Sequence, residues 1–330
     1  MKNHTIIFEN RPAIISYASV VGKKEGEGPL AARFDEIFDD TLMGEDSWEK
    51  AESSIQKNAL RIAMKKAGLT ADQIDCTFAG DLLNQCVGSA FGLREFGIPQ
   101  VGLYGACSTM ALSLAMASIF VSFGAVNTAA AVTSSHFCSA ERQFRFPITY
   151  GGQRTPTSQW TVTGAGSVIV SKGNGPQISA VTIGKIVDLG VTDANNMGAA
   201  MAPAAADTIK DHIKSMGAKP SDYDLILTGD LGKIGRQLLI ELLDQDNFSI
   251  SENHDDCGLL IYDLEKQDVH AGGSGCGCSG SVLCSDILKR FEEGTLNRLL
   301  FCATGALMST TSSQQGESIP GIAHAVEIVK

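Results

Sequence analysis

The chain has 330 residues, of which 37 are acidic and 26 basic, for a formal net charge of −11. Lys and Arg never gather into a run, which argues against a nucleic-acid-binding surface. Nine cysteines are an odd, scattered set, and the start M-K-N-H-T-I-I-F-E-N has no apolar signal core, so a reducing compartment and no disulfide framework are expected.

In chain order, E25-G-E-G-P-L and E45-D-S-W-E-K read as surface insertions. From Trp48 to Ala67, apolar residues at Ala51, Ile55, Ala59, Ile62 and Ala63 fall at helical spacing and predict an amphipathic helix. Next, I74-D-C-T-F-A-G-D-L82 has an echo in Y223-D-L-I-L-T-G-D-L231. Both carry Asp, four residues, then Gly-Asp-Leu, and both give a strand ending in Gly-Asp followed by a helical pattern, from Leu82 in one and Gly235 in the other. Phe96 to Ala140 holds no Asp, Glu, Lys or Arg. Its Pro, Gly and Asn interruptions and its Ser, Thr and Ala content fit a buried helix followed by a buried strand, not a membrane span.

A second echo sets G124-A-V-N-T-A-A-A-V-T-S-S135 beside G294-T-L-N-R-L-L-F-C-A-T-G305. Each follows a predicted helix, over Thr109–Phe123 and Val282–Glu293. Two echoes in the same order predict a duplicated α/β unit with buried parallel strands, divided at the loop-like S171-K-G-N-G-P-Q177. The halves would be residues 1–172 and 173–330.

One cysteine stands out. In Y104-G-A-C-S-T, Cys107 follows a small-residue turn and precedes a long apolar run. A thiol at a helix N-terminus has its thiolate favoured by the helix dipole, so Cys107 is a candidate nucleophile, the alternative being a small buried apolar side chain. Cys276, Cys278 and Cys284 lack the spacing of a four-ligand zinc set and read as small residues on a tightly packed helix. The glycines of G272-G-S-G-C-G277 do not make a dinucleotide loop. D244-Q-D-N and E252-N-H-D-D256 read as acidic surface loop rather than a calcium site. No cofactor and no metal are expected.

G105-A-C-S-T before a buried helix, T161-V-T-G-A-G-S-V-I-V-S, H270-A-G-G-S-G275 and F301-C-A-T-G-A-L-M-S together resemble the thiolase superfamily, nearest to β-ketoacyl synthase III-like members. The resemblance implies a thiolase fold, an α/β architecture of two duplicated βαβαβαββ halves in αβαβα layers. It also implies that Cys107 occupies the nucleophile position and His270 the Asn or His position of the second half. The other catalytic histidine would follow the strand Y223-D-L-I-L-T, where the sequence has Gly229. Glycine moves no proton, so Claisen condensation is expected to be lost while acyl transfer to Cys107 remains the alternative.

The run T133-S-S-H-F-C-S-A-E-R-Q-F-R-F-P147, with Q153-R-T-P-T-S-Q-W-T-V-T-G, H270-A-G-G-S-G-C-G-C-S and Q314-Q-G-E-S-I-P-G-I-A-H-A-V, more narrowly resembles the stage V sporulation protein AD family. That resemblance implies binding of dipicolinic acid, pyridine-2,6-dicarboxylate, either free or as its calcium chelate. It implies a role in moving the compound into the developing spore, beside the SpoVA membrane proteins at the spore inner membrane, and a homodimer. A flat dianion needs a planar or apolar wall and donors on two sides. Cys107, Ser135, His136, Trp160, Lys233, His270 and Ser274 are the candidate ligand-binding residues: Trp160 as wall, Ser135 and His136 at a strand end with Ser134, Lys233 as the positive charge, and His270 and Ser274 facing Cys107.

Overall fold

The computed structural model of the protein describes residues 4–144 and 153–330. The first part of the chain forms β1 (Thr5–Ile7), β2 (Ala13–Gly22), α1 (Lys23–Gly26), β3 (Glu36–Phe38), α2 (Trp48–Ala67), β4 (Cys76–Gly80), α3 (Val87–Leu93), β5 (Gln100–Gly102), α4 (Thr109–Ser122), β6 (Thr128–Ser135), α5 (Phe137–Phe144), β7 (Trp160–Thr161) and β8 (Gly164–Ser171). The second forms β9 (Gln177–Thr182), α6 (Met197–Ser215), β10 (Leu225–Thr228), α7 (Gly232–Asp244), β11 (His254–Asp256), α8 (Cys257–Leu260), β12 (Gly273–Ser274), α9 (Cys276–Val282), α10 (Leu288–Glu292), β13 (Arg298–Ala306), α11 (Thr310–Gln314) and β14 (Gly321–Val329).

The sheet runs in the order β11-β10-β13-β14-β9-β2-β8-β6-β4-β5. Read outward from its middle, each side repeats the same sequence of roles. β2 and β9 lie innermost, β8 and β14 run antiparallel beside them, and β6 and β13 follow, each with a parallel β4 or β10 and an edge strand. The two sides touch between β2 and β9 at one pair, Ala13 and Gln177. Both echoes therefore fall on equivalent strands, β4 with β10 and β6 with β13.

Five layers result. On the outside of one strand set, α2 covers β2, β8 and β6 with α3 beside it; on the outside of the other, α6 covers β13 and β14 with α7 packed on α6 and β11. Between the sets lie α4, packed on β4 and β6 and also on β13 and β14, and α9, packed on β8 and β6. One apolar cluster joins Met110, Leu114 and Val121 of α4 to Phe301 and Val326 of one strand set and Phe78 and Val168 of the other. A helix covered on every side has no polar face, which is why residues 96–140 carry no Asp, Glu, Lys or Arg.

Local chemistry sets the element ends. Ser47 caps α2 by accepting from the Lys50 amide, and Gly68 ends it with φ +67°, a left-handed residue that favours glycine. The first-half helix expected from Leu82 begins at Val87, because Asp81 holds the Leu83 and Ser89 amides in a turn first. The helix expected from Val282 begins six residues earlier, at Cys276, and widens into a π turn over Leu283–Ile287. Two surface assignments are corrected. Glu25 is buried, accepting from the Thr163 amide and the Tyr262 hydroxyl. Asp256 is buried too, accepting from Thr228 Oγ1 and from the Leu231, Gly232 and Gly258 amides.

The small residues of α9 explain its cysteines. A Cβ on Gly277 would stand 2.4 Å from the Gly164 carbonyl oxygen, and one on Gly166 would stand 2.3 Å from that of Gly280. Helix backbone lies directly on strand backbone, and Cys276, Cys278 and Cys284 are free, buried neighbours in that contact. Gly166→Val, a residue otherwise suited to a strand, is expected to destabilise by more than about 3 kcal/mol through forced separation of α9 from β8. A urea unfolding midpoint unchanged from wild type would refute this packing.

Candidate functional site

The turn before α4 is held by its own side chains. Ser108 Oγ donates to the Gly105 carbonyl at 2.6 Å, Thr109 Oγ1 donates to that of Ala106 at 2.6 Å, and the Gly105 amide donates to Thr109 Oγ1 at 3.1 Å. Ala106 sits at φ +48°, a left-handed conformation uncommon outside glycine. Strand β13 closes on this turn from below, with Gly305 so near that a Cβ would stand 2.4 Å from the Gly105 oxygen. Cys107 is thereby fixed, its side chain facing Ser274 with Sγ 4.0 Å from Ser274 Oγ.

Asp230, fully buried, completes the centre. Its carboxyl accepts from the Gly275 amide at 2.8 Å, Ser274 Oγ at 3.2 Å and Thr304 Oγ1 at 2.8 Å. Gln159 Nε2 donates to the Asp230 backbone oxygen at 2.8 Å and to that of Gly273 at 2.7 Å. Burial raises the Asp230 carboxyl above the ordinary aspartate range, while the Gly275 amide and the Cys107, Thr304 and Ser274 side chains draw it back. Burial pushes the Cys107 thiol far up, and the neighbouring Asp230 charge and its hydrogen bond add to that. Burial and the adjacent carboxyl therefore act against the thiolate that the start of α4 favours, and Cys107 sits as a small buried side chain.

The open space beside Cys107 amounts to about 20 Å³, bounded by Leu82, Tyr104, Met197, Ser274 and Met308. That is room for roughly one water. No Lys, Arg or His lines it among the described residues.

The other candidates disperse. Ser274 is brought to Cys107, but His270, expected to face it, is partly exposed with Nε2 3.4 Å from Asp268 Oδ1. In the small parallel pair β7–β12, Ser274 pairs with Thr161 and Gly273 with Trp160. Neighbours along a strand point to opposite faces, so Trp160 points away from the side on which Ser274 meets Cys107. Its ring stacks on Phe137 at 3.8 Å, with Lys24 Nζ 4.3 Å and the Arg154 guanidinium 4.7 Å from the ring centre. His136 is buried, with Nε2 2.8 Å from the Thr41 carbonyl and Nδ1 accepting from the Cys138 amide, and burial lowers its pKa. Ser135 Oγ donates to the Val162 carbonyl at 2.6 Å and accepts from the Gly277 amide, while Ser134 donates to Glu52. Lys233 is exposed near the start of α7. The Arg145–Pro147 end of the run from Thr133 lies outside the described residues.

At Gly229, a Cβ would stand 3.0 Å from Ala303 Cα and 3.1 Å from the Thr304 nitrogen. A side chain there would run into β13, and the residue of this turn that reaches Cys107 is Asp230. The repeated Gly-Asp-Leu was the available signal for it.

A family model described as Stage V sporulation protein AD (SpoVAD) matches residues 2–329. The chain belongs to the stage V sporulation protein AD family. The Bacillus subtilis (strain 168) stage V sporulation protein AD is 48% identical over 323 residues, which cover 98% of this chain and 95% of that one. Among solved structures, 3-oxoacyl-[acyl-carrier-protein] synthase III from Aquifex aeolicus VF5 superposes with a TM-score of 0.60 at 12% identity, covering 97% of this chain and 100% of the other. The tetronic acid condensing enzyme AbyA1 gives 0.62 at 15%, covering 96% and 100%. At such identities the likeness concerns the fold, and this family member has the thiolase-like, synthase III-like architecture. No described helix is long and apolar enough to cross a membrane.

The raised Cys107 thiol makes a measurable prediction for this stage V sporulation protein AD family member. Peptide-resolved iodoacetamide labelling of Cys107 is expected to stay slow through pH 9, because the thiolate forms above that pH. Asp230→Asn removes one of the two causes and is expected to accelerate labelling at pH 8.5 several-fold. Equal rates in the two proteins would remove Asp230 as a controlling charge.

Proposed function

We propose that the protein is a dipicolinate-binding component of the machinery that moves this dicarboxylate into the developing spore, with the thiolase fold kept and condensing chemistry lost. The observation that carries the reading is the make-up of the Cys107 centre: Gly229 stands where a condensing histidine would project, no Lys, Arg or His lines the space among the described residues, and Cys107 faces Ser274 and the buried Asp230. A condensing site needs groups that take and return protons, and this chamber offers hydrogen-bond donors in a closed apolar setting.

For the ligand to enter, the mouth formed by Tyr104, Met197 and Met308 opens; methionine side chains adapt at small cost. The ring then lies against those three side chains, and a carboxylate meets Ser274 Oγ, the Cys107 thiol and Asp230 as a protonated acid. A second negative charge beside Asp230 raises its pKa further, so binding is coupled to proton uptake. Edge strand β5, with Val101 and the neighbouring Phe91 and Tyr104 exposed, is the surface on which a second copy pairs in a homodimer. Attachment to the spore membrane goes through partner SpoVA proteins.

Calorimetric titration with dipicolinate, with and without calcium, tests the reading. Saturable binding is expected, with picolinate failing to compete because it lacks the second carboxylate. Ser274→Ala and Cys107→Ala are expected to weaken binding about three- to tenfold each, the size of one lost hydrogen bond. Affinity is expected to rise as pH falls, and heats measured in buffers of different ionisation enthalpy are expected to report the proton taken up. A covalent acyl adduct on Cys107 after incubation with an acyl-coenzyme A, without dipicolinate binding, would replace this reading with an acyltransferase.

A further inference from the structure

A second place in the molecule suits a small dianion, and it is separate from the Cys107 chamber. Along α7, Lys233, Arg236, Gln237, Ile240 and Glu241 follow one another at helical spacing and line one side of an open cleft of about 390 Å³, with Leu259 of α8 also lining it. This is the volume range of small-molecule sites, against about 20 Å³ at Cys107.

The charges are arranged in order along the helix. Lys233 and Arg236, three residues apart, have Cβ atoms within about 6 Å of each other. Neither is in an ion pair among the described residues. Arg236 Nη2 donates to the His254 carbonyl at 2.8 Å, which orients the guanidinium, and its buried Nε has no hydrogen-bond partner. The one acid in the lining, Glu241, lies about 12 Å along the helix from Lys233. It accepts from Gln237 Nε2 at 3.0 Å. Two cations at the helix start, an apolar stretch of Ile240 with Leu259, and a distant acid already engaged make a graded surface in a chain whose net charge is −11. The start of the helix is already capped, its Leu231 and Gly232 amides donating to Asp256, so the positive charge of the cleft comes from the two side chains.

We propose that this cleft between α7 and α8 binds a small planar dicarboxylate, with Lys233 and Arg236 each meeting one carboxylate and Ile240 and Leu259 lying against the ring. Arg236 presents a planar fork that matches a carboxylate, and Lys233 a point charge, so a phosphate, with a single charged centre and no flat apolar body, uses the cleft less well. The identity of the dicarboxylate as dipicolinate rests on the proposed function; the charge and volume of the cleft do not. Binding here proceeds without proton uptake by Asp230, which separates it from binding at Cys107.

The test titrates the full chain at low ionic strength with dipicolinate, phthalate and inorganic phosphate, in wild type, Lys233→Gln, Arg236→Gln, the double variant and Cys107→Ala. Each single change at the cleft is expected to weaken binding of both aromatic dicarboxylates tenfold or more, and Lys233→Arg to restore most of it. Cys107→Ala is expected to leave cleft binding unchanged, and phosphate to bind more weakly than phthalate. Thermal unfolding of Lys233→Gln, expected to match wild type because that side chain is exposed, separates lost binding from lost folding; Arg236→Gln, which also loses its bond to the His254 carbonyl, is read against its own unfolding curve. Dipicolinate binding that survives the double variant but falls with Cys107→Ala and takes up a proton overturns the cleft and keeps the proposed function. Phthalate binding lost in the double variant without any dipicolinate binding keeps the cleft and overturns the proposed function. No dicarboxylate binding to wild type overturns the cleft outright.

Discussion

Close packing of α9 backbone directly against β8 backbone fixes the start of that helix at the centre of the molecule. Gly277 and Gly280 meet Gly164 and Gly166 at separations that leave no space for a single methyl group. Because α9 cannot move relative to β8, the start of that helix is fixed, and with it Ser274 and the Gly275 amide immediately before it. Those two groups both donate to Asp230. The contact that sets the distance between layers thus also sets the position of the acid beside Cys107. Any side chain larger than hydrogen at the glycines would relax both at once.

The two halves use the same Gly-Asp-Leu turn differently, and the difference creates the site. In the first, Asp81 turns back on its own segment, accepting from the Leu83 amide and from the Ser89 amide and hydroxyl. In the second, the amides after the turn, Leu231 and Gly232, are taken by Asp256 from the end of β11. Asp230 is thereby released from local duty and faces Thr304, Ser274 and Cys107 instead. A duplicated element has kept its backbone and exchanged the partner of one carboxyl, and the exchange places a buried acid where it holds a thiol in its protonated form.

The architecture was legible in the sequence because its signals are local and periodic. Trp48–Ala67 forms the helix that its apolar spacing predicts, and the Asp and Asn echoes fall on equivalent strands of the two halves. Helix starts were harder to read, since α9 opens with Cys-Gly-Cys-Ser-Gly-Ser, a poor helix former that is helical because it must lie flat against glycines. The site was legible only in part. Cys107 and Ser274 meet across 167 positions of sequence, which the family-like motifs anticipated. The direction of Trp160 was not legible, because it depends on the β7–β12 register and a two-residue ribbon leaves almost no alternation to read; His270 lies before β12, in a left-handed turn at φ +51°. Asp230 was visible in the repeat, but its importance depends on Asp256 taking over its amides, a relation no linear pattern carries.

At the Cys107 centre, electrostatics decides more than shape does. A thiolate at the head of a buried helix is sustained by the partial positive charge of that helix and by nearby donors, a margin of about 1–2 kcal/mol at best. Full burial and an adjacent carboxyl act against the thiolate. The acid stands beside the cysteine, joined to it through Ser274, within undisturbed packing. Cations that an anionic ligand would seek stand elsewhere, on the outer faces of the ribbon and of α7. In a chain with this excess of acid, an anion approaching from solvent meets those surfaces before it meets the chamber, so charge selects the route of entry and the neutral interior selects what can stay.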